Sequence, residues 1–299
     1  MKILISGSSG FIGSALVDRL TSAGHRVIRL VRREVSPGQD AISWEPNRGR
    51  IDGAALEGVE GVVHLAGEGI GDHRWTEQHK ARVLNSRVAG THLLAETVAK
   101  LDIPPKVMIS ASGVHYYGDR GDEKLTEDSG PGAGFLAGVV EQWETASEPA
   151  SSAGIRVVNT RQGVVLSPKG GAFKRQLLPF KLGLGGKLAS GEQYFSWITL
   201  EDYLSVIQFL LEHEELSGPV NVTSPNPVTN AEFTRALGAA LGRPTIWRVP
   251  GFALKLMFSA EMAEEMLLMG QRVLPARLLD AGFEFGDPQV EAALRRLVA

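Results

Sequence analysis

Residues 2–13 read Lys-Ile-Leu-Ile-Ser-Gly-Ser-Ser-Gly-Phe-Ile-Gly. A short apolar strand runs straight into Gly-x-x-Gly-x-x-Gly, and helical periodicity follows. Each glycine has its own task in such a turn. Gly7 lets the chain leave the strand sharply, Gly10 lets backbone approach a pyrophosphate, and Gly13 lets the helix pack close to the sheet. The helix start then presents free N–H groups and a positive dipole end to phosphates. Ser9, Phe11 and Ile12 lie in the same turn and complete the expected dinucleotide-binding set. A chain that opens this way is constrained to continue as strand–helix–strand units.

The remaining sequence keeps to that plan for about half its length. Residues 3–6, 26–31, 61–65, 106–110 and 156–160 read as strands. Residues 13–23, 76–100 and 134–151 read as helices, the first closed by Gly24. This alternation predicts an α/β fold, a doubly wound parallel Rossmann sheet with ligand at the carboxyl ends of its strands. Beyond Gly163 the pattern changes. Gly183, Gly185, Gly186 and Gly191 predict a flexible loop region, residues 228–241 and 252–270 two helices, and residues 288–299 a short amphipathic helix. The methionines at 257, 262, 266 and 269 are expected to fill core space. The expected domains are an NADP-binding Rossmann domain over 1–165, with a returning strand near 219–223, and a smaller, partly helical C-terminal substrate lobe over 166–299.

Composition narrows the partners. The 299 residues carry a net charge of -3 with 22% charged residues, so neither nucleic acid nor a membrane is an expected partner. Cysteine is absent, which excludes disulfides, thiolate metal sites and thiol nucleophiles. No metal site is expected. No apolar run reaches the ~18 residues of a spanning helix, and residues 1–5 already read as strand rather than secretory signal. A cytoplasmic protein acting on a small molecule is the expectation.

The second strand ends Leu30-Val31-Arg32-Arg33. A unit selective for NAD keeps Asp or Glu near this point for the ribose 2′-hydroxyl, whereas arginine suits a 2′-phosphate. NADP(H) is therefore expected over NAD(H), with Arg32, nearer the strand end, as the stronger candidate. The run His64-Leu65-Ala66-Gly67 closes another strand, and Leu65, Ala66 and Gly67 can line the cofactor with backbone. Ser110-Ala111-Ser112-Gly113 follows the strand at 107–109. Ser110 falls on the cofactor side, and Ser112 can hydrogen-bond a substrate hydroxyl or carbonyl. Tyr116 or Tyr117 can serve as proton donor, or both can simply pack against the cofactor loop. Arg161 ends a further strand and is expected to face the crevice.

These motifs resemble the extended short-chain dehydrogenase/reductases, the family of nucleotide-sugar epimerases and dehydratases. Arg74-Trp75-Thr76, Ser86-Arg87-Val88, Tyr116-Tyr117-Gly118-Asp119-Arg120-Gly121, Ser196-Trp197-Ile198 and Gly218-Pro219-Val220-Asn221-Val222 resemble, more narrowly, its "epimerase family protein" subfamily. The resemblance implies an NADP(H)-dependent oxidoreductase, epimerase or dehydratase, with a nucleotide sugar or another small carbonyl or alcohol as substrate. Arg87 falls where relatives often carry a site-organising asparagine, so it is expected to hold a substrate anion or the cofactor. Trp197, Gln193 and Asp202 would sit between the lobes.

One departure is decisive for mechanism. The family's usual acid/base pair is Tyr-x-x-x-Lys. Here the residues four places after the tyrosines are Arg120, Gly121, Ile198 and Ile207, so no such pair exists. Phe135 and Val139 occupy the corresponding places, and neither transfers a proton. His115, Arg120, His73 and Lys80 are the cations close enough in sequence to substitute. The alternative is a non-catalytic NADP(H) binder acting as a redox sensor or interaction protein.

Overall fold

A computed structural model describes residues 1–36 and 38–299. The chain divides into two compact units. The first comprises residues 1–112, 139–160 and 204–220; the second comprises 113–138, 161–203 and 221–299.

The main sheet has eight strands among the described residues. They are β1 (Lys2–Ser6), β2 (Arg26–Val31), β3 (Ala41–Glu45), β4 (Arg50–Ile51), β5 (Gly61–His64), β6 (Val107–Gly113), β7 (Arg156–Gln162) and β8 (Gly218–Val222). Their spatial order is β8-β7-β6-β5-β1-β2-β3-β4. From β1 the chain winds one way through β2 and β3, then returns to β5 and winds the other way. This reversal puts a topological switch point between β1 and β5, where open α/β sheets bind ligands. The pairs β1–β2, β1–β5, β2–β3 and β5–β6 are parallel, and the short β4 runs antiparallel to β3. Strands β3 and β4 were not expected from the sequence; β3 is only five residues long, and its alternating pattern is carried chiefly by Ile42 and the buried Trp44.

Helix α1 spans Phe11–Ser22 and packs Leu16, Val17 and Leu20 inward. Gly24 follows with φ of 84°, the left-handed conformation expected just past a helix end. Helix α2 spans Glu77–Ala99, and the Thr76 hydroxyl caps it by accepting from the His79 N–H at 3.2 Å. The stretch read as a single helix over 134–151 is two. Helix α3 spans Phe135–Thr145, and a short helix resumes at Glu148–Ser152 with a proline in its first turn. Proline lacks the N–H a continuous helix needs, so the break falls there.

The second unit is built from short elements around Leu166, Phe173, Trp197, Phe233, Leu237 and Leu294. The Asn230–Leu241 helix opens with a reciprocal capping box between Thr229 and Glu232. The glycine-rich 183–191 segment, expected as a loop, contains a strand. Gly186–Leu188 pairs in parallel with Trp247–Val249. The helix expected over 252–270 is broken into Gly251–Met257, Ala260–Ala263 and a wider five-residue turn at Glu264–Leu268. Ser259, with φ of 146°, interrupts it. The expected methionine core is accordingly split: Met262 is buried but Met257 is exposed.

Candidate functional site

The ends of β1 and β5 are tied together beneath the glycine turn. Ser6 and His64, in register as strand partners, join through Ser6 Oγ and His64 Nδ1 at 2.7 Å. Ser6 Oγ also accepts from the N–H groups of Leu65 at 3.1 Å and Ala66 at 3.3 Å. With both lone pairs taken, the serine proton goes to Nδ1, which leaves the imidazole hydrogen on Nε2. That atom is buried without a hydrogen-bond partner among the described residues, close to the Trp44 ring. Burial pushes the His64 pKa down to about 4, so the ring is neutral at ordinary pH.

Above this tie the glycines shape a tight turn. Gly7 has φ of 67°, and a Cβ there would stand 2.8 Å from the Leu65 carbonyl carbon. The Gly10 N–H donates to the Gly7 carbonyl at 2.9 Å. A Cβ on Gly13 would overlap the Gly7 carbonyl oxygen. Helix α1 begins with Gly10 as N-cap, with no side chain capping it and no acidic residue in its first turn. Its leading N–H groups therefore lack an intrahelical partner and a competing carboxylate. Ser9 and Gly10 are exposed, while Phe11 and Ile12 are half-buried. This cradle fits the pyrophosphate of a dinucleotide cofactor.

Just past β2 the two arginines differ. Arg33 donates to the Glu34 carbonyl at 2.9 Å and to Gln39 Oε1 at 3.3 Å. Arg32 is exposed and has no partner among the described residues.

Arg87 has protein partners beneath the Gly67 turn. It is buried on α2, and its Nη1 donates to the carbonyls of Glu68 at 2.9 Å and Val83 at 3.1 Å. Its guanidinium lies 4.9 Å from the centre of the Trp143 ring, directly under Gly67. Burial lowers its pKa to about 10 against the opposing pull of Glu68. Arg87 thus props the Gly67 turn from below. Ser110 is likewise interior, with its carbonyl accepting from Thr160 Oγ1 at 3.2 Å.

Ser112 lies near the end of β6, facing α3. Ser112 is buried, and its hydroxyl donates to Glu144 Oε1 on α3 at 2.6 Å.

In the second unit, the turn Val114–Tyr117 places the two tyrosines edge to face, 5.3 Å between ring centres. Tyr117 is fully buried. Its hydroxyl donates to Asn221 Oδ1 at 2.7 Å and accepts from Arg161 Nη1 at 3.1 Å. Burial pushes its pKa up to about 12 despite Arg161. Asn221 in turn donates its N–H to Glu127 at 2.9 Å and its amide to the Leu274 carbonyl at 2.9 Å. Tyr117 is therefore a strut in a buried hydrogen-bond network. Arg161 is itself buried, and its guanidinium carbon lies 3.4 Å from the centre of the Tyr116 ring. Tyr116 is half-buried, and its hydroxyl has no hydrogen-bond partner among the described residues.

The other candidates have partners of their own. Arg120 is paired with Glu123, Lys80 with Glu77, and His73 packs edge-on against His79. Trp197, Gln193 and Asp202 all lie in the second unit. Trp197 is core and donates to the Asn226 carbonyl at 3.1 Å. Gln193 donates to the Leu188 and Leu267 carbonyls, and Asp202 accepts from the Gly286 and Asp287 N–H groups.

One contact was not foreseen at all. The Glu265 carboxylate accepts from the N–H groups of Phe135 and Leu136, both at 2.7 Å. A distant carboxylate thus caps the N-terminus of α3, at the place where the family pattern expects its tyrosine. Sequence spacing gives no signal for this pairing. The Ser6–His64 tie had a signal, since both residues end strands that pair in parallel.

Fold and glycine turn together define a Rossmann protein of the dinucleotide-binding class. The "NAD dependent epimerase/dehydratase family" model matches residues 3–223, and a "Domain of unknown function (DUF1731)" model matches residues 249–297. The chain belongs to the NAD-dependent epimerase/dehydratase family. It is 45% identical to Epimerase family protein Mb2239 of Mycobacterium bovis, over 98% of this chain and 96% of that one. It also resembles the crystal structure of human epimerase family protein SDR39U1 (isoform 2) with NADPH. That match has 36% identity and a TM-score of 0.91, and covers 99% of each chain. A nucleoside-diphosphate sugar epimerase from Corynebacterium glutamicum matches at 37% identity and TM-score 0.82, covering all of this chain and 58% of that one. No helix among the described residues is long and apolar enough to cross a membrane.

Proposed function

We propose that the protein is an NADP(H)-dependent oxidoreductase or epimerase-like enzyme. Its substrate class is a nucleotide sugar or another small carbonyl or alcohol. The observation that carries the cofactor preference is Arg32, exposed and without a partner just past β2, next to an arginine that is already engaged. A ribose 2′-phosphate is the ligand such a guanidinium suits. The NADPH in the human relative's structure supports the same reading. When bound, the nicotinamide supplies or accepts hydride.

The chain's own contribution divides by atom. Gly7, Gly10, Gly13 and the N–H groups leading α1 hold the pyrophosphate. Leu65, Ala66 and Gly67 form a backbone wall, fixed by Ser6, His64 and Arg87. Tyr116 is the residue whose phenol can exchange a proton with substrate, because Ser112 and Tyr117 already have partners. Arg161 over its ring face stabilises charge that develops on the phenolate.

A second reading, a cofactor-binding sensor without turnover, is favoured by the same two committed hydroxyls and the absent Tyr-x-x-x-Lys. Titration with NADPH and NADH, followed by nicotinamide fluorescence for wild type and Arg32→Ala, tests the cofactor assignment. Selective loss of NADPH affinity in the variant supports it. A screen of carbonyl substrates then separates enzyme from sensor, with Tyr116→Phe as the test of the proton donor.

A further inference from the structure

The crossover from β2 to β3 leaves part of the main sheet without a helix over it. The described residues of 32–40 form no helix, although β2 and β3 run parallel. On the α1 side of the sheet the cover therefore ends with α1. The register shows where it runs out. Ile5, Arg29 and Ala41 are strand partners in one row, and residues paired in this way share a face. Ile5 is fully buried, Ala41 is half-buried and Arg29 is exposed. The opposite face of the same strands is closed, with Ile28, Leu30 and Trp44 in the core. The open side holds a cavity of about 560 Å³. Small-molecule sites are commonly about 300–1,000 Å³.

Two chemistries meet in this one cavity. Val17, Val27 and Ala41 give it an apolar side. His25, Arg26, Arg29 and Arg33 also line it, and Asp40 is the one carboxylate among its described lining residues. Asp40 is engaged: Arg26 Nη2 donates to it at 2.8 Å. Arg33 is held by the Glu34 carbonyl and by Gln39 Oε1. The Arg29 N–H donates to the Asp40 carbonyl at 3.0 Å, but its guanidinium has no partner among the described residues. A sheet position covered by a crossover helix takes an apolar side chain; this uncovered one carries a free cation. Three arginines less one carboxylate leave two positive charges, with His25 beside them. A phosphate monoester, with a charge of about -1.5 to -2, matches that balance better than a single carboxylate does. Guanidinium groups also suit its oxygens geometrically. Arg32 does not line the cavity.

We propose that this cavity is a second ligand site, separate from the glycine turn, for a small organic phosphate. Arg29 and Arg33 take the phosphate, and Val17, Val27 and Ala41 take the body of the molecule. The proposal is independent of the cofactor assignment. It is tested with the full chain by calorimetric titration with phenyl phosphate, inorganic phosphate and phenol. The expected result is that phenyl phosphate binds more tightly than inorganic phosphate and that phenol does not bind. Arg29→Gln should weaken phenyl phosphate about tenfold or more, and Arg32→Ala should leave it unchanged. Thr21→Trp, at an exposed lining residue on α1, keeps every cation and should weaken phenyl phosphate by filling the space. Thermal melts that match wild type show that folding is intact. Both Arg29 and Thr21 are exposed, so either variant alone suffices if the other disturbs the fold. Four results overturn the proposal. These are no binding of phenyl phosphate up to about 10 mM, binding that neither Arg29→Gln nor Thr21→Trp changes, inorganic phosphate binding as tightly as phenyl phosphate, or an equal loss in Arg32→Ala. The last would put the phosphate in the cofactor site.

Discussion

The glycine turn at residues 7–13 and the stretch from Ser112 to Tyr117 are both short segments that follow a strand of the main sheet. They differ in what carries their chemistry. The first works through main-chain N–H groups at the start of α1, with no side-chain cap and no acidic neighbour in that turn. The second depends on hydroxyls, and residues remote in sequence have taken two of them: Glu144 holds Ser112, and Asn221 with Arg161 holds Tyr117. A site made of backbone is legible from the residues that leave room for it. A site made of side chains is legible only when their partners are known.

The sharpest way to break this comparison is Gly13→Ala. The added Cβ meets the Gly7 carbonyl oxygen, so the turn must open. NADPH affinity is expected to fall about 100-fold, with a stability loss of about 3 kcal/mol from overpacking, read by fluorescence titration and thermal melting. Normal binding in this variant would mean that backbone geometry is not what holds the cofactor.

Acid should act next most strongly. The folded pKa of His64 is about 4, against 6.5 when exposed, so the fold favours the neutral ring. Stability from this group is complete above pH 6.5 and is lost as pH falls through the window from 6.5 to about 4, by about 3 kcal/mol in all. His64→Asn should flatten that part of the pH–stability profile measured by urea titration. A profile as steep as wild type would place the acid sensitivity elsewhere.

Arg32→Ala is expected to weaken NADPH by about 10–100-fold, the loss of a charge-assisted contact, with NADH unchanged. Equal weakening of both nucleotides would remove Arg32 as the discriminating residue. The smallest effects separate the two tyrosines. Tyr117→Phe strips Asn221 and Arg161 of a buried partner and should cost about 2 kcal/mol of stability. Tyr116→Phe should leave stability within about 0.5 kcal/mol and lower only turnover. A stable Tyr117→Phe variant with reduced turnover would reverse their assigned roles.

The sheet strands that follow the glycine turn were readable because their apolar runs alternate with amphipathic helices. Gly13 and Gly24 were readable because close approach and left-handed backbone leave few alternatives. The second unit was harder. Gly186 looked like loop, yet it is the place where one strand lies against the backbone of Trp247, a close approach that leaves no room for a Cβ. The 252–270 stretch has helical spacing throughout, and the break at Ser259 depends on a single residue's backbone conformation. Arg87 and Ser112 were named as ligand contacts because their residue types suit that chemistry. What residue type did not announce was their burial against Glu68 and Glu144, and a carboxylate 32 residues away from a serine carries no periodic signature.

The Glu265 cap on α3 has a consequence for the order in which the molecule can be finished. Phe135 and Leu136 leave the ribosome 130 and 129 residues ahead of the carboxylate that holds them. At ~5–20 residues per second, that is an interval of about 6–26 s. Throughout it, the two leading amides of α3 have only water or transient partners. The segment matched by the second family model, which contains Glu265, thereby acts as a late fastener on a helix translated long before it.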